Sequence, residues 1–265
     1  MTRVLSGAVL LAFAVAVVWW ATPWLFLLAA EILVLLAFVE YRAIAGATGI
    51  AVPRVAGAAA ALTTAAFSAT VTGVSTSAPL DAVLMSAFVA LCGLAVASWQ
   101  GGPTGVVTGA AAMFPALYLG LPIGAMVAVR ETAGREALFL MMLTVFVSDT
   151  AQYYSGRAFG RRLLAPAISP KKTIEGAVGG FLCGGVFLAL AGGWWLPSAP
   201  LPLRAALGVT IVALGIVGDL FESMLKRSAG MKDSSHLIPG HGGVLDRIDA
   251  LLFAAPIYYL VLKYL

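Results

Sequence analysis

Residues 207–219 read LGVTIVALGIVGD, and residues 138–149 read LFLMMLTVFVSD. Each stretch is long and apolar and ends in an aspartate, Asp219 in the first and Asp149 in the second. An ionised carboxylate at such a depth in a membrane costs a few kcal/mol, so it needs a partner. Both acids are therefore candidate functional residues, and the alternative is a buried ion pair that joins two helices.

The rest of the chain is similarly apolar. Of its 265 residues, 61% are hydrophobic and 11% are charged, whereas a soluble domain carries roughly 25% charged residues. A helix needs about 20 mostly apolar residues to cross a bilayer. The sequence therefore predicts an all-α, polytopic integral membrane protein with about nine transmembrane helices. The predicted spans are 4–20, 24–40, 55–74, 80–98, 103–129, 137–156, 174–195, 202–225 and 247–264.

These spans are predicted to form one continuous membrane domain. Residues 1–140 are expected to be a helical scaffold that could also carry dimer contacts, and residues 141–265 the catalytic region. The span 103–129 contains Pro115 and Pro122, so we expect a kink or a break in it.

The basic residues predict the orientation of the chain in the membrane. With a cytoplasmic N-terminus and nine spans, 12 of the 16 lysines and arginines fall in cytoplasmic segments. Such a bias is the positive-inside pattern of cell-membrane proteins. The formal net charge of +4 suits these basic loops, and we expect no nucleic-acid partner.

The charged residues are concentrated in two short stretches, which this topology places on the same side of the membrane. Residues 149–175 contain seven charged residues and residues 219–249 contain nine. Asp219, Glu222 and Lys226 recur at helical spacing, and Asp246 and Asp249 lie one turn apart at the start of the last span. Oxygen ligands without a cluster of His or Cys suit Mg²⁺. The sequence therefore predicts a magnesium site at the cytoplasmic membrane boundary.

A glycine-rich stretch, PGHGGVLDRID, covers residues 239–249. It leads into the last predicted span and includes Asp246 and Asp249. Gly242 and Gly243 would let backbone N–H groups approach a phosphate, and His241 could add a donor. The alternative is an ordinary turn at the start of a helix. Lys226, Arg227, Lys232 and Arg247 lie nearby in the sequence and favour the phosphate interpretation.

The stretch SPKKTIEG, residues 169–176, has related chemistry. Ser169, Lys171, Lys172 and Thr173 come just before an apolar helix, and a helix N-terminus beside two lysines can bind an anion. The alternative is that the lysines only mark the cytoplasmic side. Upstream, Asp149, Gln152 and Tyr153 share one helix face and could contact a base or a sugar, or another helix.

Together these residues resemble a known family signature. The run Ser223-x2-Lys226-Arg227-x4-Lys232-Asp233-x-Ser235-x2-Ile238-Pro239-x-His241-Gly242-Gly243-x2-Asp246-Arg247-x-Asp249 is similar to that of the phosphatidate cytidylyltransferases (CDP-diacylglycerol synthases), with no departure at the fixed polar positions. SPKKTIEG and SDTAQY, residues 148–153, resemble two further blocks of the family. The resemblance covers nearly all of residues 149–250 and is unspecific before residue 140.

The resemblance implies an activity and a set of roles. CTP and phosphatidic acid would give CDP-diacylglycerol and pyrophosphate with Mg²⁺, one ion or two, in a homodimer of the cell membrane whose site faces the cytoplasm. The implied catalytic residues are Asp219, Lys226, Arg227, Asp246 and Asp249. The implied metal ligands are Asp219, Glu222, Asp246 and Asp249. The implied substrate-binding residues are Asp149, Gln152, Tyr153, Ser169, Lys171, Lys172, Thr173, Lys232, Asp233, His241, Gly242, Gly243 and Arg247.

Three other functions are weighed against this one. A CDP-alcohol phosphotransferase would carry a DGxxAR block, which the sequence lacks. The lipid could instead be an ether-linked lipid or an isoprenoid phosphate, which the sequence does not distinguish. A transporter would place its acids near the midplane in paired repeats, whereas here they cluster at one boundary.

Overall fold

The computed structural model describes residues 2–68, 80–99, 101, 105–238 and 240–265. In this part of the chain ten α-helices and one β-hairpin form. The helices are α1 (Thr2–Trp20), α2 (Pro23–Ala47), α3 (Arg54–Ser68), α4 (Leu80–Ser98), α5 (Gly105–Pro115), α6 (Leu121–Ala133), α7 (Arg135–Phe159), α8 (Ile174–Trp195), α9 (Leu201–Ser228) and α10 (Leu245–Lys263).

The predicted membrane-protein class is supported, but the number of spans is not confirmed. Every predicted span coincides with helical structure where it is described, and residues 69–74 and 103–104 of two spans lie outside the described residues. Within the described part of the chain, five helical segments are long and apolar enough to cross a membrane. They are Pro23–Ala47, Leu80–Ala97, Gly105–Ala133, Ile174–Trp195 and Leu201–Ser228.

The interruption expected between residues 103 and 129 is a π-helical turn. Ala116–Gly120 joins α5 to α6, with Pro115 at the last position of α5 and Pro122 in the first turn of α6. Proline has no N–H to donate, and beside it the Leu121 N–H bonds to the Ala116 carbonyl oxygen in the wider π-helical pattern. A Cβ added at Gly120 would lie 2.4 Å from the carbonyl oxygen of Ala61, so this turn packs directly on α3.

A short hairpin follows α7, and the sequence pattern did not predict it. Strands β1 (Leu163–Ala165) and β2 (Ser169–Thr173) pair antiparallel, with Ala165 opposite Ser169. The fold is therefore nearly all-α. Thr173 caps α8, because its hydroxyl accepts a hydrogen bond from the Gly176 N–H at 3.1 Å. This cap ends β2 and begins α8, so it fixes where Lys172 lies relative to the helix bundle.

The C-terminal helices pack through small residues. Along α7 and α8, added Cβ atoms at Gly176, Gly179 and Gly180 would lie less than 3 Å from atoms of the facing helix. In α9, a Cβ added at Gly218 would lie 2.4 Å from the carbonyl oxygen of Asp249 in α10. Small residues allow helix backbones to approach closely in membranes. Gly218 therefore sets the distance between the helices that carry Asp219 and Asp249.

The N-terminal and C-terminal segments share one buried core. A single apolar cluster includes Val34 and Ile123 from the first segment and Met141 and Leu252 from the second. The hydroxyl of Tyr258 donates to the Ala137 carbonyl oxygen at 2.9 Å. The assignment of scaffold and catalytic roles to residues 1–140 and 141–265 stays a prediction.

We expect Gly218→Ala to destabilise the protein and Gly215→Ala, one turn earlier in α9, to leave it as stable or slightly more so. A Cβ at position 218 would overlap the Asp249 backbone, and overpacking costs about 1–3 kcal/mol. A Cβ at position 215 would meet Ala250 Cβ at an ordinary 3.6 Å, and alanine favours a helix over glycine by roughly 0.5–1 kcal/mol. Thermal unfolding of the two purified variants in detergent compares them. Equal midpoints would contradict this packing of α9 on α10.

Candidate active site

The two polar stretches meet at an ion pair between β2 and α9. The Nζ of Lys172 lies 2.6 Å from Oδ2 of Asp219, with 19% and 35% of the two side chains exposed. Asp149, within α7, interacts electrostatically with both. The predicted convergence of residues 149–175 with residues 219–249 is therefore confirmed.

Three carboxylates meet at this ion pair, one of them the acid of the pair itself. Asp149, Asp219 and Asp249 lie close enough to repel one another, and Asp249 also accepts the N–H of Ala250 at 2.8 Å. The Nε2 of Gln152 donates to Asp149 Oδ1 at 3.0 Å. Lys172 is the cation that pairs with this group. The three carboxylates therefore carry more negative charge than Lys172 can balance. An excess of negative charge at the ends of apolar helices would attract a cation.

The residue types at this site fit Mg²⁺, although the described residues do not form a complete metal cage. Among them, no group of three or more His, Cys, Asp and Glu side chains lies close enough together to hold a metal ion. Proteins usually hold Mg²⁺ through one or two carboxylates, with substrate phosphates and water completing the octahedron. Asp219 and Asp249 therefore match the two-carboxylate pattern of such sites.

A second, buried ion network lies behind the first. Glu222 is 0% exposed and Lys226 is 8% exposed. The Lys226 ammonium lies 2.5 Å from Glu222 Oε2 and is also hydrogen-bonded to Asp246 Oδ1. Two predicted metal ligands therefore share an ammonium group that was itself expected to hold phosphate. The helical spacing predicted one face, but α9 directs Asp219 toward the hairpin and Glu222 toward the bundle.

Asp246 organises the loop before α10. Its Oδ2 accepts the N–H of Ser234 at 2.9 Å, the hydroxyl of Ser234 at 2.8 Å and the N–H of Gly243 at 2.7 Å. Burial alone would raise the pKa of Asp246, but Lys226 and these three donors lower it to about 2. The carboxylate is thus held ionised throughout the physiological pH range.

The glycines of the loop pack against carboxylates. Gly242 has a φ of +80°, and a Cβ there would lie 2.5 Å from Asp246 Oδ2. The Gly243 N–H is used by Asp246, and the Gly242 carbonyl oxygen accepts the Ile238 N–H at 2.9 Å. These contacts explain both glycines as parts of a closely packed turn. No bound phosphate is needed to explain them. The ring of His241 packs on α1, because a Cβ at Gly7 would lie 3.2 Å from its Nε2.

The remaining predicted residues lie at the periphery. Tyr153 is exposed, and its hydroxyl accepts from Arg157 Nη1 at 3.4 Å. Arg227 is exposed and donates to the Met231 carbonyl oxygen at 3.0 Å. Ser169 begins β2. Four further predicted residues are exposed and take part in none of the ion pairs found in the described part of the chain: Lys171, Lys232, Asp233 and Arg247.

One residue of the site was missed by the sequence reasoning. Glu40, in α2, is 4% exposed and accepts hydrogen bonds from both ends of the loop that precedes α10. The signal was available, because Glu40 ends a predicted span and an acid in such a position is a functional candidate. The same reasoning that selected Asp149 and Asp219 would have selected it.

Comparison with known proteins identifies related sequences. The model of the cytidylyltransferase family matches residues 1–265. A phosphatidate cytidylyltransferase of Haemophilus influenzae is 45% identical over 130 residues, which is 46% of this chain and 45% of the relative. One of Aquifex aeolicus is 42% identical over 125 residues, 47% of this chain and 46% of the relative. One of Brucella suis is 39% identical over 175 residues, 63% of this chain and 60% of the relative. The chain thus spans about half the length of the first two relatives.

We expect Asp246→Asn to destabilise the fold strongly and Asp233→Asn, in the same loop but exposed, to have little effect. The first change removes a partner of the buried Lys226, and breaking a buried pair costs roughly 3–5 kcal/mol. Thermal unfolding in detergent measures both variants. Equal midpoints would contradict the structural role of Asp246.

The pH dependence of the stability difference between Asp246→Asn and the wild type follows from the lowered pKa of Asp246. The stability that Asp246 contributes is complete above its unfolded pKa of about 3.9 and is lost as pH falls through about 2. We therefore expect the gap in unfolding midpoint between the wild type and Asp246→Asn to stay constant from about pH 5 to about pH 8. A gap that changes across this range would show that another group titrates with the network.

Proposed function

The chain belongs to the cytidylyltransferase family, and from this membership and the site geometry we propose that it transfers CMP from CTP to phosphatidic acid, giving CDP-diacylglycerol and pyrophosphate. The observation that carries the proposal is the Lys172–Asp219 ion pair, with Asp149 and Asp249 beside it. It joins the two polar stretches into one group of mixed charge at the ends of apolar helices. A phospholipid headgroup would lie at that depth in a bilayer.

The proposed reaction is an in-line displacement at phosphorus. A phosphate oxygen of phosphatidic acid attacks the α-phosphorus of CTP and forms a new P–O–P linkage. The bond from the α-phosphorus to the oxygen that bridges it to the β-phosphorus breaks, and pyrophosphate leaves with that electron pair. The second pKa of a phosphate monoester is about 6, so the attacking oxygen is largely ionised at neutral pH and needs no strong base.

The main barrier to this reaction is repulsion between two polyanions. Lys172 is the best-placed cation, because it lies within the carboxylate group and is still partly exposed. We propose that phosphate oxygens compete with Asp219 for its ammonium group when substrates bind. Gln152, fixed by its bonds to Ser148 and Asp149, would orient the nucleotide. Lys171 and Arg227 lie farther out and would meet the β- and γ-phosphates.

Mg²⁺, one ion or two, is proposed as the cofactor. When bound, it offsets charge on the phosphate oxygens. Asp219 and Asp249 would hold it, because Glu222 and Asp246 are already occupied by Lys226.

We further propose that the site faces the cytoplasm of a cell-membrane protein. CTP is a soluble nucleotide, and basic residues predominate in the segments predicted to be cytoplasmic. A homodimer is proposed from the resemblance to the phosphatidate cytidylyltransferases.

Purified protein should convert labelled CTP and phosphatidic acid into a lipid-linked CMP product. Asp219→Asn should reduce turnover by at least about a hundredfold, the scale of removing one electrostatic contact at a reacting phosphate, while the unfolding midpoint stays close to the wild type. Asp81→Asn changes an exposed acid in the first turn of α4 and should leave turnover unchanged. Absence of a lipid-linked product with the wild type would refute the reaction. A reaction with an isoprenoid phosphate alone would change the assigned lipid.

Metal removal should abolish turnover, because the phosphate charge would then lack its counter-ion. The measurement is product formation after chelation with EDTA, followed by stepwise addition of Mg²⁺ or of Ca²⁺ as a larger ion. Mg²⁺ should restore activity and Ca²⁺ should not, since Ca²⁺ prefers longer and more numerous ligand bonds. Full turnover in excess EDTA would rule out the cofactor.

A further inference from the structure

Glu40 is connected to the loop before α10 by four hydrogen bonds. Its Oε1 accepts from the Ser235 hydroxyl at 2.6 Å and the Val244 N–H at 2.9 Å. Its Oε2 accepts from the Ser234 hydroxyl at 3.0 Å and the Leu245 N–H at 2.7 Å. Each carboxylate oxygen therefore contacts one residue at the beginning of the loop and one at its end.

This arrangement supplies the N-terminal cap that α10 lacks in its own sequence. Val244 is the N-cap residue, and its side chain makes no capping hydrogen bond. The first N–H groups of a helix have no partner within it, and the N-terminus favours a negative charge. Glu40 satisfies two of these N–H groups from a helix that is about 200 positions earlier in the chain. A Cβ at Gly243 would lie 2.4 Å and 2.5 Å from the two Glu40 oxygens, so a glycine is required beside them.

A serine hydroxyl links Glu40 to the buried ion network. Ser234 Oγ lies 3.0 Å from Glu40 Oε2 and 2.8 Å from Asp246 Oδ2, and Asp246 in turn binds Lys226. A hydroxyl has one proton to donate, so its position depends on both carboxylates together. A shift of Glu40 would consequently move Ser234, Asp246 and the start of α10, which also carries Asp249.

We infer that Glu40 is a positioning residue for the active site: it holds residues 233–238 and 240–244 of the loop and the first turn of α10 so that Asp246, Lys226 and Asp249 keep their places. The effect on turnover rests on the function proposed above. The effect on the loop itself does not depend on that function.

The test compares Glu40→Gln with Glu31→Gln. The glutamine amide would place an NH₂ group against one serine hydroxyl and one backbone N–H. The hydroxyl can rotate to accept, but the backbone N–H loses its acceptor. Glu31 is an acid in the same helix, and neither of its oxygens has a hydrogen-bond partner among the described residues. In Glu40→Gln we expect backbone hydrogen exchange at Val244 and Leu245 to speed up about tenfold or more, whereas Glu31→Gln should exchange like the wild type.

Steady-state kinetics supply a second measurement. Misplacement of a reacting group by about 1 Å can cost a hundredfold in rate. We expect kcat of Glu40→Gln to fall by roughly ten- to a hundredfold, with a smaller change in the KM for CTP. Glu40→Asp keeps the charge and should recover part of this loss. Glu31→Gln should keep the kcat of the wild type.

A third variant keeps the inference testable if Glu40→Gln does not fold. Ser235→Ala removes one hydrogen bond to Oε1 and leaves the other three. It should show a smaller increase in exchange, confined to the loop. Unchanged exchange in residues 233–245 of every folded variant would overturn the inference. A Glu40→Gln variant with a lower unfolding midpoint but an unaltered kcat per folded molecule would also overturn the inference, because Glu40 would then only stabilise the fold. If the wild type makes no CDP-diacylglycerol, the reaction fails but the exchange measurements still decide the role of Glu40.

Discussion

The structure depends on one constraint, which is that a charged group buried among these apolar helices is stabilised by a partner of opposite charge or by several hydrogen-bond donors. Glu222 and Lys226 are almost fully enclosed by the bundle, and the ammonium group is shared with Asp246. The cost of leaving any one of these charges unpaired in an apolar interior is several kcal/mol. α9, α10 and the loop between them are therefore held in one relative arrangement, and Glu40 extends that arrangement to α2.

The charged residues fall into two groups that differ in burial. The group of Glu40, Glu222, Lys226 and Asp246 is enclosed, and its members are held by ion pairs or hydrogen bonds with other protein atoms. The group of Asp149, Lys172, Asp219 and Asp249 has more carboxylates than cations and includes an ion pair that is about one-third exposed on its acidic side. The enclosed group fixes the relative positions of the helices and the loop around it, and so acts as a structural frame. The open group has the charge and the access that substrates and a metal ion would need.

Glycines determine how closely the helices and the loop that carry these two groups pack together. Gly218 allows α10 to lie against α9 just before Asp219, and Gly243 leaves room for the Glu40 carboxylate at the end of the loop. A side chain at either position would occupy space that a backbone oxygen or a carboxylate fills. The glycine-rich loop is thus explained by close packing around carboxylates, although its composition equally suggested a phosphate-binding turn.

Much of the fold and part of the site were accessible from the sequence alone. Apolar runs of about 20 residues identify membrane helices because the bilayer requires them, and α8 begins and ends where its run does. The charge distribution also placed Lys172 and Asp219 on one side of the membrane, because positive residues are retained there.

Only the tertiary structure decided which charges pair with which. Helical spacing put Asp219, Glu222 and Lys226 on one face of α9, but it carries no information about what each side chain meets in neighbouring helices. The hairpin directs Lys172 to Asp219, while the loop directs Asp246 to Lys226. Glu40 is distant from that loop in the sequence, and no local pattern could predict a contact that forms only when α2 packs beside α10. The sequence by itself determined that most charged residues are concentrated in two stretches on one predicted side of the membrane, because lipid excludes charges from the spans between them. Their division into a buried frame and an open site required the folded arrangement of helices from both halves of the chain.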